Sequence, residues 1–373
     1  MKRDSSTNQP VRMKDIARDL GVSVVTVSKV LRDHSDISTA TKRRVRKRIR
    51  ELNYHPNLIA RSLASKHTFT IGLVVPDLTH TFFGEIAKGI AHEIRPKGYE
   101  TLISYSEEDP RIEKAEISRL LGRRVDGLVI ASSLPPTDTE VFTMIERQKV
   151  PYVLVDRVFP GFEANFVVID NEEIGFIATE HLMECGCRRI AHIRGPQVGN
   201  SGARLNGYRK ALARYGLKMP AGYVVGDKFT VFTGGTDEMR QLLRLDPRPD
   251  GVFCFNDSLA VGAMKAVLEA GLRVPEDVAL VGASNTRLSD FLRVPLTTID
   301  QSSELTGQLA GDLLLDLMQS KRRRRPRTVL VGPRLIVRES TMRNREYQEN
   351  SIQPGLRRRQ TGPASASVLG RHR

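Results

Sequence analysis

The sequence predicts an α/β protein in which a small all-helical head precedes a doubly wound α/β body. Three observations carry that expectation. Two short amphipathic helical patterns, Lys14 to Leu20 and Val24 to Leu31, open the chain three residues apart. Seven apolar runs (IGLVVP, TLISY, GLVIAS, YVLVD, RIAHI, VFCF and VALVG) then alternate with one-face helical patterns such as Phe83, Ile86, Ala87, Ile90, Ala91 and Ile94. Finally, the formal charge of +15 is divided along the chain. Residues 1–68 hold 16 Lys and Arg against 6 Asp and Glu (+10), residues 69–320 hold 27 against 34 (−7), and residues 321–373 hold 15 against 3 (+12). A basic head on a mildly acidic body points to nucleic acid at the head, not to a surface adapted throughout to polyanions or membranes.

In the head, Ile16, Ala17 and Leu20 share one face of the first helix, Gly21 stands where a left-handed cap ends it, and Ser23 offers an N-cap hydroxyl to the second. That spacing is a helix-turn-helix. Val27, Val30 and Leu31 are expected inward. Ser23, Val24, Val25, Thr26, Ser28 and Lys29 form the DNA-facing set, with the valines suited to thymine methyls and Lys29 to guanine O6 and N7. Read blandly, Val24 and Val25 would be misplaced core. A third helix begins after Ser38 or Thr39, with Val45, Ile49 and Leu52 as its stripe and Lys42, Arg43, Arg44, Arg46, Lys47, Arg48 and Arg50 around it, expected to face phosphates or solvent. After Tyr54-His55-Pro56-Asn57 comes LIARSLAS, an amphipathic segment too short to be helical alone.

These residues carry a resemblance. The run from Met13 through the LIARSLAS segment is similar to the head and hinge of the lactose/galactose repressor family of bacterial transcription regulators, and the chain to about Met342 fits the same family in order and spacing. Five separated blocks agree: LGVSVVTVSKVL, ELNYHPNLIARSLA, RRVDGLVIASS, ARLNGYRKAL, and GLRVPEDVALVG with PLTTIDQ. The resemblance implies a two-lobed, periplasmic-binding-protein-like body with the chain crossing between lobes near residues 168, 299 and 329. It implies a dimer interface around 83–95 and 111–121, and a hinge that becomes helical on DNA and wedges Leu63, with Ala60 one turn before it, into the minor groove. Tyr54 and Asn57 join the DNA-binding candidates. The expected organisation is a flexible N-terminus over 1–10, the helix-turn-helix over 11–56, and hinge and linker over 57–68. The body spans 69–342 (lobe 1 about 69–168 and 300–329, lobe 2 about 169–299 and 330–342), and a disordered basic tail follows over 343–373.

The carboxyl ends of the strands supply the effector candidates: Asp77, Phe82, Phe83, Asp156, Arg157, Ser201, Arg204, Asn256, Asp257, Ser284 and Gln301. Singly each has a structural explanation, Asp257 as an N-cap, Asp156 at a turn, Phe83 as core. Their convergence suits a small hydroxylated ligand. One departure matters: where many relatives carry an aromatic residue and then an aspartate after VALVG, this chain reads Ala283-Ser284-Asn285, so the charge-assisted acceptor is missing and the effector is a sugar or another small metabolite, with Ala283 leaving room for a larger one.

The remaining expectations follow from absences of pattern. No phosphate loop, GxSxG elbow or HExxH motif is present, so no catalysis is expected. Cys185, Cys187 and Cys254 fit neither a disulfide framework nor a zinc site, so no metal or cofactor is expected. The first residues hold no apolar signal stretch, which places the chain in the cytoplasm, on the nucleoid, with no membrane partner. The expected partners are a palindromic double-stranded operator, a small-molecule effector and a second copy in a homodimer. The competing class, a small-solute receptor with no regulatory role, shares the body but leaves the basic head unexplained.

Overall fold

The computed structural model describes residues 11–55, 62, 65, 67–79, 81–195, 199–226, 234–320, 325–343 and 367–368. The chain divides into two compact units, Met1–Thr68 and Phe69–Arg373.

In the first unit, α1 (Met13–Leu20) starts where the Asp15 carboxylate accepts the Arg12 N–H at 3.0 Å, and it ends on Gly21 at φ 63°. Helix α2 (Val24–Leu31) is capped by Ser23, whose Oγ accepts the Thr26 N–H at 3.0 Å, and α3 (Thr39–Glu51) is capped in the same way by Ser38. Ile16, Ala17, Val27, Val30, Val45 and Tyr54 form the core, with Leu31, Ile49 and Leu52 half-buried against it. The cations of α3 lie exposed or half-buried, and several of them are paired within the head. Lys42 and Arg46 pair with Asp33 at 3.0 and 2.6 Å, Arg48 pairs with Asp19 and Glu51 at 2.6 and 3.1 Å, and Arg44 donates to the Leu20 carbonyl. Exposed pairs of this kind add little stability, yet they tie the helices to one another.

The second unit holds two sheets. The first contains β1 (Thr70–Val75), β2 (Glu100–Tyr105), β3 (Gly127–Ile130), β4 (Tyr152–Val155), β5 (Phe166–Ile169), β11 (Thr328–Val331) and β13 (Ser367–Val368), in the order β13-β11-β5-β4-β3-β1-β2. All its pairs are parallel except β13 on β11. The second contains β6 (Ile190–Ile193), β7 (Val224–Val225), β8 (Gly251–Cys254), β9 (Ala279–Ala283), β10 (Thr297–Asp300) and β12 (Arg334–Ile336), in the order β12-β10-β9-β8-β6-β7, parallel except β12 on β10. Non-sequential neighbours and parallel pairing require helical crossovers. Helices α4 (Thr81–Ile94), α5 (Pro110–Gly122), α6 (Glu140–Arg147) and α11 (Ser303–Gln319) serve the first sheet; α7 (Asn171–Glu184), α8 (Gly199–Arg214), α9 (Thr236–Leu243) and α10 (Asp257–Glu269) serve the second. In chain order the strands change sheet after β5, after β10, after β11 and again between β12 and β13.

Phe82, Phe83, Ile86, Ile90 and Ile94 of α4 are buried in the core, with α11 packed closely against that helix. A partner at α4 would therefore meet its outer, more polar face. Exposed Ile103 and Tyr105 lie on β2, the edge strand of the same sheet. Expectations for the N-terminus over 1–10, for the hinge residues Asn57, Ala60 and Leu63 and for most of the tail fall outside the described residues, although Ser367 and Val368 pair with β11. Among the described residues no helix is long and apolar enough to cross a membrane, and no group of three or more His, Cys, Asp or Glu could hold a metal ion.

Candidate functional site

Two places gather the residues singled out by sequence, one in each unit. In the head, Val27 and Val30 fill the buried side of α2, which leaves Val24 and Val25 45% and 62% exposed. Two solvated valines beside a full core are not misplaced core. Ser23 Oγ is spent on the cap and lies 2.9 Å from Thr26 Oγ1, Ser28 Oγ accepts from Arg32 at 3.1 Å, and Lys29 Nζ donates to the Asp36 carboxylate. Tyr54 is only 8% exposed and belongs to the head's core, where burial raises its hydroxyl pKa, so it offers DNA little surface.

In the body, the carboxyl ends of the strands converge as the doubly wound topology requires. Arg204 is the centre. It lies in the second turn of α8 and is 3% exposed, because Gly175 lets α7 approach: a Cβ there would stand 2.0 Å from the Arg204 carbonyl. Its Nε donates to Asn171 Oδ1 at 2.9 Å, its Nη1 donates to the Phe255 carbonyl, and its guanidinium stands 4.3 Å from the centre of the Phe255 ring. Burial pushes its pKa down to about 10, against the pull of the Asp156 and Asp257 charges.

Asp156 faces it from the other lobe. It follows β4 in a left-handed conformation, φ 66°, and its Oδ1 accepts from Asn200 Nδ2 at 2.9 Å, so one buried hydrogen bond joins the lobes. Burial raises this carboxyl's pKa, opposed by Arg157, Arg204 and the Asn200 bond. Arg157 donates to both Glu108 oxygens at 2.9 and 2.6 Å and to the Ser132 carbonyl at 3.0 Å. Burial works against that charge, but the Glu108 bond and the Asp156 charge outweigh it and leave the pKa raised. Among the described residues Arg157 Nε has no hydrogen-bond partner.

The other candidates are mostly committed to the fold. Asn256 Oδ1 caps α10 through the Leu259 N–H at 2.9 Å. Asp257 accepts from Thr298 Oγ1 at 2.5 Å, the Thr286 N–H at 2.9 Å and Ser289 Oγ at 2.8 Å, which ties α10 to β10 and to the segment after β9. Ser201 Oγ donates to the Gly195 carbonyl at 3.1 Å, and Gln301 Nε2 and Ser284 Oγ both donate to the Ala283 carbonyl. Asp77 accepts from the Thr79 N–H and hydroxyl, and Phe82 and Phe83 meet edge to face at 5.0 Å, both buried. Ala283 is fully buried in the core, so its small side chain does not open onto vacant space. Sequence reading missed Asn171, Asn200, Glu108, Thr298 and Arg338, whose Nη2 holds Asn285 Oδ1 at 2.9 Å; each acts through a partner far away in sequence.

The arrangement resembles known proteins over most of its length. Residues 12–57 match the profile described as bacterial regulatory proteins, lacI family, and residues 179–341 match a periplasmic binding protein-like domain. The chain is 38% identical over 307 residues to the ribose operon repressor of Escherichia coli strain K12, covering 81% of this chain and 92% of that protein. It is 36% identical over 331 residues to the HTH-type transcriptional repressor PurR of Escherichia coli O139:H28, covering 88% and 96%. Among solved structures, the Lac repressor dimer bound to operator and the anti-inducer ONPF superposes with a TM-score of 0.77 at 30% identity, covering 89% of this chain and 99% of that one.

Proposed function

The chain belongs to the lacI family of bacterial regulatory proteins, and on that premise we propose that it is a homodimeric repressor whose operator affinity is set by a small molecule held between its lobes. It is a DNA-binding transcriptional regulator of the kind its relatives are, and those relatives are repressors, not enzymes. The observation that carries the reading is the pair of exposed valines at the amino-terminal end of α2, with Lys29 one turn beyond, over a core already filled by Val27 and Val30. An apolar tip followed by a cation suits major-groove base edges, and the pseudo-palindrome of an operator mirrors a two-fold dimer. The protein would work on nucleoid DNA in the cytoplasm.

The effector reading rests on Arg204. A buried, planar donor stacked on an aromatic ring, facing a buried carboxylate across the cleft, suits a small polar metabolite that bridges the lobes. Asp257, Asn256 and Gln301 hold the walls in place. With serine at 284, affinity for a sugar cannot depend on a carboxylate at that position.

Selection of binding sites from random duplex DNA by the full chain, followed by competition in increasing salt, tests the function. A regulator enriches a palindrome; a solute receptor enriches nothing at any salt. Lys29→Ala is then expected to weaken operator binding by roughly 1–3 kcal/mol and to relax preference at one base pair per half-site. Equal weakening on every sequence, with the salt slope lower by about one, would instead mark Lys29 as a phosphate contact.

A further inference from the structure

Lys29 is not a lone cation. Its ammonium donates to Asp36, which lies in the turn between α2 and α3. Val25 stands one turn before Lys29 on the same helix face, and Lys29 reaches beyond the end of α2 to Asp36. The head's other described acids serve elsewhere: Asp15 caps α1, Asp19 and Glu51 hold Arg48, and Asp33 joins Lys42 to Arg46. Among the described residues, Lys29 with Asp36 is the one ion pair that includes a residue of α2.

A carboxylate beside the recognition helix is repelled by the phosphates that the head must approach. An exposed ion pair adds little stability, so stability does not account for its place. Base chemistry does. In the major groove guanine presents O6 and N7 as acceptors, and the cytosine opposite presents its N4 amino group as a donor beside them. An ammonium and a carboxylate held together match that sequence of acceptors and donor. We propose that Lys29 and Asp36 act as one reading unit, Lys29 donating to the guanine and Asp36 accepting from the cytosine amino group of a single G·C pair in each half-site. The inference rests on the base-reading role of Lys29 given above and adds Asp36 as a residue that determines specificity.

The test uses the full chain and the operator enriched by it, with each G·C pair of the half-site replaced in turn. Asp36→Ala is expected to reduce discrimination at one G·C pair roughly tenfold, at the same pair affected by Lys29→Ala, with little change in the salt slope. Asp36→Asn, which keeps one acceptor oxygen, is expected to fall between. Head folding is followed by circular dichroism in each variant. If Asp36→Ala and Asp36→Asn tighten binding to all sequences alike and leave the ranking of base pairs intact, Asp36 is only a counterion and the proposal is overturned. A changed ranking in Lys29→Ala but not in either Asp36 variant overturns this proposal alone, whereas no change of ranking in any variant also removes the base-reading role of Lys29.

Discussion

Replacing Arg204 by alanine is expected to leave a folded dimer that binds its operator with nearly unchanged affinity and no longer responds to its effector. The side chain donates to Asn171 and to the Phe255 carbonyl and covers the Phe255 ring, all within the body and none within the head. Its loss removes a desolvated cation as well as its bonds, so the stability cost is moderate, about 2 kcal/mol. Arg204→Lys keeps the charge but not the planar fork, and it is expected to lose most of the response too. Asp257→Ala behaves differently. That carboxylate takes three bonds from segments 29 to 41 residues downstream, and deleting it strands donors from Thr286, Ser289 and Thr298. At roughly 1–3 kcal/mol for each buried donor left unpaired, and less than additively, the loss is on the order of 4 kcal/mol and several degrees of melting temperature. Thermal melting, with and without the metabolite that stabilises the wild type, separates the two. A full ligand shift in Arg204→Ala would remove it from the site, and a normal melting temperature in Asp257→Ala would show that its bonds do not hold the wall.

The contrast between these residues shows what the sequence carries and what it does not. The helix-turn-helix is legible because its signals are local: Gly21 and Ser23 act within one turn of where they stand. The strands that form continuous apolar runs, such as Val252 to Phe255, are legible for the same reason. Strand β10 is harder. Thr297 and Thr298 are fully buried polar residues whose hydroxyls are satisfied by Arg338, Thr341 and Asp257, so hydropathy alone undervalues the segment. Strand β11 pairs in parallel with β5, Val329 opposite Val167, and only a contact spanning most of the body places it in the first sheet. The candidate site follows the same rule. Arg204 could be found through the block ARLNGYRKAL, but its orientation depends on Asn171, and Asp156 reaches Asn200 on the other lobe. No periodicity encodes a bond between lobes.

Acidification should destabilise the body through two buried histidines. His181 on α7 lies with Nε2 2.9 Å from Thr341 Oγ1. His192 on β6 lies between the rings of Phe253 and Tyr208, with Nδ1 donating to the Phe253 carbonyl at 2.9 Å and Nε2 without a partner among the described residues. Burial pushes both pKa values down to about 4, helped at His192 by the Arg204 and Arg194 charges, against a backbone bond that pulls it up. In the unfolded chain each titrates near 6.5. The unfolded state therefore takes up protons that the folded state refuses. The stability is complete above about pH 6.5 and falls as the pH drops toward 4, by up to roughly 1.4 kcal/mol per histidine per pH unit. At pH 5 the pair accounts for a loss of about 4 kcal/mol. Buried Asp156 and Glu113 oppose this, because their raised values let the folded state bind protons above the ordinary carboxyl range. The histidine contribution is isolated by comparing variants at constant ionic strength. His192→Gln keeps an N–H for the Phe253 carbonyl but cannot protonate, so its melting temperature should fall between pH 7 and pH 5 by clearly less than that of the wild type. A second substitution, His181→Asn, should remove most of what remains of the histidine effect. Parallel pH curves for wild type and both variants would show that neither imidazole is held neutral by the fold, and the acid sensitivity of the body would then have to originate in its carboxyl groups.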